Sequence, residues 1–407
     1  MSTKKNILVI TQWSFKDALI QAYTLPYVLI IADILPEGSK IYLVTFEQEN
    51  VKMTSLERKE IKQTLLKKGI VLIDYTYYRF GFIAIIKWFF SFLHLLYISI
   101  FKKINFIHAW CTTAGSLGYV VSVCSGKPLV IDSYEPHAEA MAENGSWNSK
   151  GLKFKILFYF EKKLSYHAKY IISATKGMGD YAKIKYGLTL IDSPVKPACV
   201  DFNSFNSAKR KNTVLLKELD LEDKIVCVYA GKFGGNYLSK EVFDFFHEAE
   251  ILWGNRFRAL LLTPQKKEEL DELITQTGFD KNKMVVRFVS HKDIPQYMGL
   301  GDFAINPMKR TPAKLYCTPI KDGEYWAMGL PVVISEDISD DSDIIKKHKA
   351  GAILKGLTPQ YYQEALNEID KLLLEEQHSL SERITALARQ YRNFSIAERI
   401  YRKIYGE

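Results

Sequence analysis

Residues 316–335 read Tyr-Cys-Thr-Pro-Ile-Lys-Asp-Gly-Glu-Tyr-Trp-Ala-Met-Gly-Leu-Pro-Val-Val-Ile-Ser. The pattern predicts a polar, Pro-containing loop, a short helix carrying Glu324, a stop at Gly329 and a strand from Val332. A loop that delivers a helix N-terminus offers unpaired backbone N–H groups, which suit a phosphate. An acid one turn into that helix can accept hydrogen bonds from a ribose. Together these are parts of a nucleotide-diphosphate site. A plain helix–turn–strand unit with a surface Glu fits the same letters, because Gly-x-Pro-Val-Val is a common helix-to-strand join.

Residues 230–240, Ala-Gly-Lys-Phe-Gly-Gly-Asn-Tyr-Leu-Ser-Lys, are a second phosphate candidate. Gly234 and Gly235 let a backbone approach an anion, Lys232 adds a positive charge, and a helix begins near Ser239. A Gly-Gly pair is equally the mark of a simple turn. Earlier in the chain, the apolar run ending at Asp132 opens into Ser-Tyr-Glu-Pro-His-Ala-Glu. Three acids and one His within eight residues are unusual for a plain connection. A carboxylate beside an imidazole favours its charged form and orients the ring. His137 and Glu135 are therefore the catalytic candidates, with Asp132 behind them. The alternative is that His137 and Glu139 open a solvated helix, with Pro136 at its first turn. Asp340-Asp341-Ser342-Asp343 contains Asp-x-Asp but reads better as the acidic start of a helix. The eight His show no ligand spacing, so no metal site is predicted.

The elements that must hold these residues alternate. Strand-like runs at 7–10, 41–45, 71–74, 106–109, 129–132 and 170–173 are separated by helical stretches at 17–33, 54–68, 82–101, 115–125 and 150–166. A polar, irregular stretch at 200–211 suits a linker. The alternation then restarts, with strands at 225–230, 258–263, 284–288, 303–305 and 332–335. A length of 407 residues fits two domains, and this alternation makes both doubly wound α/β, Rossmann-like, with a cleft between them. The boundaries are drawn at 1–199 and 200–384. Residues 379–405 read as helical, with Ile396, Ala397, Ile400, Tyr401 and Ile404 on an apolar face. The five cysteines have no paired spacing and imply a reduced, cytoplasmic chain. No signal peptide is visible. Net charge is +9, with 25 Lys+Arg against 15 Asp+Glu in residues 1–200 and 30 against 31 in the rest. The basic half implies an anionic membrane or substrate. No nucleic-acid motif accompanies it.

In their order along the chain these motifs resemble the retaining glycosyltransferases of the family 4 type (glycosyl transferases group 1), which have the two-domain GT-B fold. The family shows Glu-x7-Glu, then Ala-x-Gly-x-Pro-Val-Val. Here Glu324 is the second acid, and Tyr316 takes the place of the first. The resemblance implies a nucleotide-sugar donor held by Glu324, by backbone at Thr318, Ile320 and Lys321, and by Lys232 with Gly234 and Gly235. Thr263 stands in the donor site where the family often has Gly-x-Gly-Pro, backbone at Arg287 and Phe288 would meet the base, and Tyr316 stands where the family's first acid touches the donor sugar. The family's second pyrophosphate Lys falls at position 237, which is Tyr; the next Lys is Lys240. The resemblance further implies no cofactor, no metal requirement, and a last helix (385–407) crossing back to the first domain. Another GT-B activity, nucleotide-sugar epimerisation, and a non-catalytic membrane partner are the rival expectations.

Residues 82–101 are the most apolar stretch, and 150–169 form a Lys-rich amphipathic partner. Three readings fit 82–101: a buried core helix, a membrane span broken by Lys87 and His94, or a helix that dips Trp88, Phe89 and Phe92 into an interface. The third suits a peripheral protein on the inner face of the cell membrane, working on a polyprenyl-linked or other glycan acceptor in envelope polysaccharide synthesis.

Overall fold

A computed structural model describes residues 4–406; residues 1–3 and 407, the ends of the predicted first domain and of its returning helix, lie outside the described residues. The chain divides into two units. Unit 1 holds the chain up to Glu143, Trp147–Pro197 and the end from Phe394; unit 2 holds Ala198–Asn393 and the three residues Asn144–Ser146. The divisions fall at 197/198 and 393/394, against 199/200 and 384/385 from sequence.

Each unit is built on a six-stranded parallel sheet. In unit 1 the strands are β1 (Asn6–Ile10), β2 (Ile41–Glu47), β3 (Ile70–Thr76), β4 (Ile104–Trp110), β5 (Leu129–Tyr134) and β6 (Tyr170–Ser173), in the order β3-β2-β1-β4-β5-β6. In unit 2 they are β7 (Ile225–Ala230), β8 (Phe257–Leu262), β9 (Met284–Arg287), β10 (Phe303–Asn306), β11 (Val332–Ser335) and β12 (Gly351–Leu354), in the order β12-β11-β10-β7-β8-β9. The central strands are continuous apolar runs because helices cover both faces. Strand order reverses beside β1 and beside β7, and there the outgoing loops part and leave room for a ligand.

Three crossover helices matter for unit 1: Phe82–Phe101, Cys111–Ser125 and Leu152–His167. The chain's last stretch is not one helix. It breaks at Arg392-Asn393 into Gln377–Tyr391, in unit 2, and Phe394–Tyr405, which packs on the Leu25–Ile34 helix of unit 1. The second piece is strongly amphipathic, and Ala397, Tyr401, Ile404 and Tyr405 are its buried stripe. None of the five cysteines is in a disulfide; four are buried and Cys124 is exposed.

The Phe82–Phe101 helix is not a core helix. Its buried positions are Ser91, Leu95, Ile98 and Ser99, and most of its large side chains face outward. Trp88 and Phe92, expected at the surface, stack on each other and are half-buried; Phe89 is exposed.

Candidate functional site

In unit 2 the reversal lies between β7 and β10, and the loops that leave these strands are laced together. The Leu238 amide donates to the Pro307 carbonyl at 2.7 Å, and the Lys309 amide to that of Asn236 at 2.9 Å. Gly234 (φ +81°) and Gly235 (φ +60°) hold the left-handed backbone that this turn needs. The turn after β8 braces it, because the Phe233 amide donates to Gln265 Oε1 at 2.7 Å.

The short helix Ile320–Ala327 follows the β10 loop, as expected. Its first turn sends Lys321 toward the glycine loop. The ammonium donates to the Tyr237 hydroxyl at 3.1 Å and lies 4.6 Å from the centre of that ring. Gly231 makes room for it: a Cβ there would lie 2.7 Å from Lys321 Cε. Tyr237 occupies the position at which a second Lys was expected, so the charge arrives from another element. Lys240 does not supply it, since its ammonium is paired with Asp244 at 2.7 Å. Lys232 is exposed at the mouth of the loop.

One turn further, Glu324 is half-buried, and no described residue hydrogen-bonds its carboxylate. Burial pushes this carboxyl up to about 7, and the Lys321 charge pulls against that rise. A desolvated carboxylate with free lone pairs is an acceptor awaiting donors.

The opposite face of the helix is clamped by charge. Asp322 is fully buried, accepts from Asn306 Nδ2 at 2.7 Å and hydrogen-bonds Asp341, which pairs with the buried Arg392. Arg392 also donates to Thr318 Oγ1 at 2.6 Å and to the Ala198 carbonyl at 3.3 Å, and it lies over Trp326. Burial raises the Asp322 carboxyl well above the usual range, and the Asp341 charge raises it further. Two acids facing one guanidinium thus keep a proton on Asp322. Asp341 is therefore a buried partner of Arg392, not a metal ligand, and it sits in the first turn of the helix Asp341–His348.

The remaining candidates of unit 2 separate. The Thr318 hydroxyl is taken up by Arg392 and by the Ala198 amide at 3.1 Å, which leaves only backbone toward the loop. Thr263 is buried and accepts from the Gln265 amide at 3.2 Å, so it shapes a turn. Arg287 and Phe288 follow one another at the end of β9, and Phe288 is 79% exposed. Ile320 is the first residue of its helix, and Tyr316 closes the single 3-10 turn Pro312–Tyr316.

In unit 1 the loop after β5 places Glu135 and His137 together, with Oε1 and Nδ1 3.8 Å apart and both side chains about one-quarter exposed. His137 also opens the helix His137–Glu143, so the reading of a helix start holds as well. Behind it Glu161, not singled out from sequence, accepts from the Ala138 amide at 3.0 Å and from Thr112 at 2.9 Å; burial raises its carboxyl to about 7.

Asp132 is corrected by the structure: it is completely buried and faces inward. Lys196 lies 3.1 Å away, His108 3.3 Å, and the Tyr401 hydroxyl donates to it at 2.5 Å. Burial alone would raise this carboxyl. Lys196, His108 and Tyr401 overcome that and hold it below the usual carboxylate range. Lys196 is itself buried among Tyr23, Tyr27 and Trp110, with the Tyr27 ring centre at 3.8 Å. Asp132 ties β5 to the chain's last helix and touches nothing outside the core.

Comparison with known proteins agrees with this frame. Residues 224–373, all in unit 2, match the family model for glycosyl transferases group 1. No curated protein matches the chain. Among solved structures, HepE from Anabaena in complex with UDP is 15% identical with a TM-score of 0.69, and the match covers 99% of this chain and 100% of that one. WaaG, a glycosyltransferase involved in lipopolysaccharide biosynthesis, is 11% identical with a TM-score of 0.70 over 99% and 100%. Sucrose-phosphate synthase from Thermosynechococcus elongatus is 13% identical with a TM-score of 0.70 over 99% of each chain. The fold of both units is thus the two-domain GT-B fold, and the second unit carries a sequence match to glycosyl transferases group 1.

Proposed function

We propose that the protein moves a sugar from a nucleotide-diphosphate donor to a lipid-linked glycan acceptor, with retention at the anomeric carbon. It does so on the inner face of the cell membrane, in envelope polysaccharide synthesis. The observation that carries the donor site is the meeting of Lys321, Tyr237 and Gly231 at the β7/β10 reversal, one turn from the unpartnered Glu324. HepE, a structural neighbour, is described in complex with UDP-glucose, and WaaG with a role in lipopolysaccharide biosynthesis; both support this donor class and setting.

In this reading the bond from the sugar's anomeric carbon to the diphosphate oxygen breaks. The acceptor hydroxyl oxygen bonds to that carbon on the face the diphosphate leaves, and its proton passes to the departing diphosphate. Charge grows on the diphosphate as the bond breaks. Lys321, Lys232 and the backbone N–H groups of the glycine loop and of the Ile320–Ala327 helix meet it without rearranging. The reading calls on no metal and no cofactor. Glu324 takes the ribose hydroxyls, Phe288 offers a face to the base, and Glu135 with His137 position sugar hydroxyls.

The test is thermal shift with a panel of nucleotide diphosphates and nucleotide sugars in the presence of EDTA, on wild type and Glu324→Ala. It is followed by NMR of the anomeric signal of any product. One nucleotide stabilising the wild type alone, then a product of retained configuration, is expected. No stabilisation by any nucleotide would remove the donor site, and an inverted product the retaining mechanism.

A further inference from the structure

The outer face of the Phe82–Phe101 helix is unpartnered. Phe82, Ile86, Phe89, Leu93, Tyr97 and Ile100 fall in one stripe at helical spacing, and all are exposed, Phe82 to 79% and Phe89 to 51%. Ser91, Leu95 and Ile98 lie opposite and pack toward the Cys111–Ser125 helix and β4. A continuous apolar stripe of this size is a docking surface rather than ordinary scatter.

The charge around it identifies what covers it. Residues 77–103 contain Arg79, Lys87, Lys102 and Lys103 and no acid. The neighbouring Leu152–His167 helix packs on the same Cys111–Ser125 helix and extends the surface, with Lys153 Nζ 5.5 Å from the Phe80 ring centre. Its only acid, Glu161, is buried, while Lys155, Lys162 and Lys163 are exposed. The face is therefore apolar in its stripe and positive at its borders. A second copy of the chain would set like charges against each other. Anionic lipid satisfies both features, since acyl chains take the stripe and headgroups take the lysines.

We infer that this surface seats unit 1 on an anionic bilayer, with the helix lying in the plane of the interface. The helix is long and apolar enough to cross a membrane. Its inner face is nonetheless committed to its own unit, and Lys87 lies between the apolar stripe and that inner face, placed to reach headgroups. The inference deepens the reading of a lipid-linked acceptor and rests on it for its purpose, whereas lipid binding itself is measured without any sugar transfer.

The experiment is flotation of the full chain with phosphatidylcholine vesicles, with and without phosphatidylglycerol. Wild type is compared with Phe89→Glu/Leu93→Glu, and nucleotide thermal shift serves as the folding control. Wild type is expected to float only with the anionic vesicles, to be released by high salt, and to bind at least about tenfold more than the variant. The variant should keep the wild-type nucleotide response. If the variant has lost that response, the milder Phe89→Ser/Leu93→Ser replaces it in the comparison. Wild type that ignores anionic vesicles yet responds to nucleotide overturns the membrane surface and leaves the transferase reading standing. A stable dimer in solution that the substitution splits assigns the stripe to a second copy and also overturns the inference. Resistance to alkaline carbonate overturns the in-plane placement. Flotation as expected with no response to any nucleotide sinks the donor reading alone.

Discussion

Lys321 holds its ammonium 3.1 Å from the hydroxyl of Tyr237, a residue 84 positions earlier in the chain. Tyr237 comes from the glycine turn after β7 and Lys321 from the helix that follows the β10 loop, so the cation and the glycine turn meet only in the folded sheet. Replacing Lys321 with Ala should weaken binding of a nucleotide diphosphate by about 10- to 100-fold, about 1.4–2.7 kcal/mol, and leave nucleoside binding unchanged. Adding Tyr237→Lys to that variant should recover part of the loss, because the ammonium then enters from the other loop. Calorimetric titration with nucleoside and nucleotide decides both points, and an unchanged diphosphate affinity in Lys321→Ala would exclude the contact.

Glu324 gives the site a pH dependence of definite sign. Its carboxyl titrates at about 7, and the ionised form is the better acceptor. Donor affinity should therefore rise between about pH 6 and 8 in wild type and stay flat in Glu324→Gln. The stability of the free protein should run the other way. A carboxyl with a raised folded pKa favours folding at low pH and loses that contribution as pH rises through the folded value. Glu324→Gln should then melt higher than wild type at pH 8 and much the same at pH 5, as followed by calorimetry.

The clamp beneath the same helix predicts an asymmetry between its two acids. Asp322 already carries a proton, so Asp322→Asn should cost under about 1 kcal/mol. Arg392→Met leaves Asp341 buried without its cation and should cost about 3–5 kcal/mol. Urea denaturation separates these cases, and equal losses would show that the proton is not held on Asp322.

In unit 1, Asp132→Asn should destabilise by about 3–5 kcal/mol, because Lys196 stays buried without its anion. The lowered carboxyl of Asp132 contributes stability at every pH above its unfolded value, about 3.9, and that contribution is lost as pH falls through its folded value. Acid unfolding of wild type and variant should converge accordingly. Parallel curves over the whole range would place the acid sensitivity elsewhere.

Both parallel sheets were legible because a strand buried on two faces is written as an apolar run, as in 225–230 and 332–335. β12 escaped because Gly-Ala-Ile-Leu is short and sits between a lysine-rich helix end and a Gly-Leu-Thr-Pro turn. Glu324 and the glycine turn could be placed since each is local. The side chain of Lys321 could not, because its partner is set by which strands become neighbours. Asp132 misled for the same reason: its loop looks exposed, and Lys196, His108 and Tyr401, all distant in sequence, turn it inward. Arg392 lay unremarked in a run of polar residues, where nothing marks one arginine as buried.

The return of the Phe394–Tyr405 helix to unit 1 has a consequence for synthesis. Unit 2 is nearly all one continuous length of chain, whereas the buried cage of Lys196 and Asp132 is closed by Tyr401. Unit 2 thus holds nearly all of its residues without that helix, whereas unit 1 is completed only when the helix docks, the reverse of the usual vectorial order. Until the last turn emerges, Lys196 has no completed shell, and the aromatic side chains meant to enclose it stand open to chaperones. A chain truncated before Phe394 should keep unit 2 protease-resistant and leave unit 1 digestible.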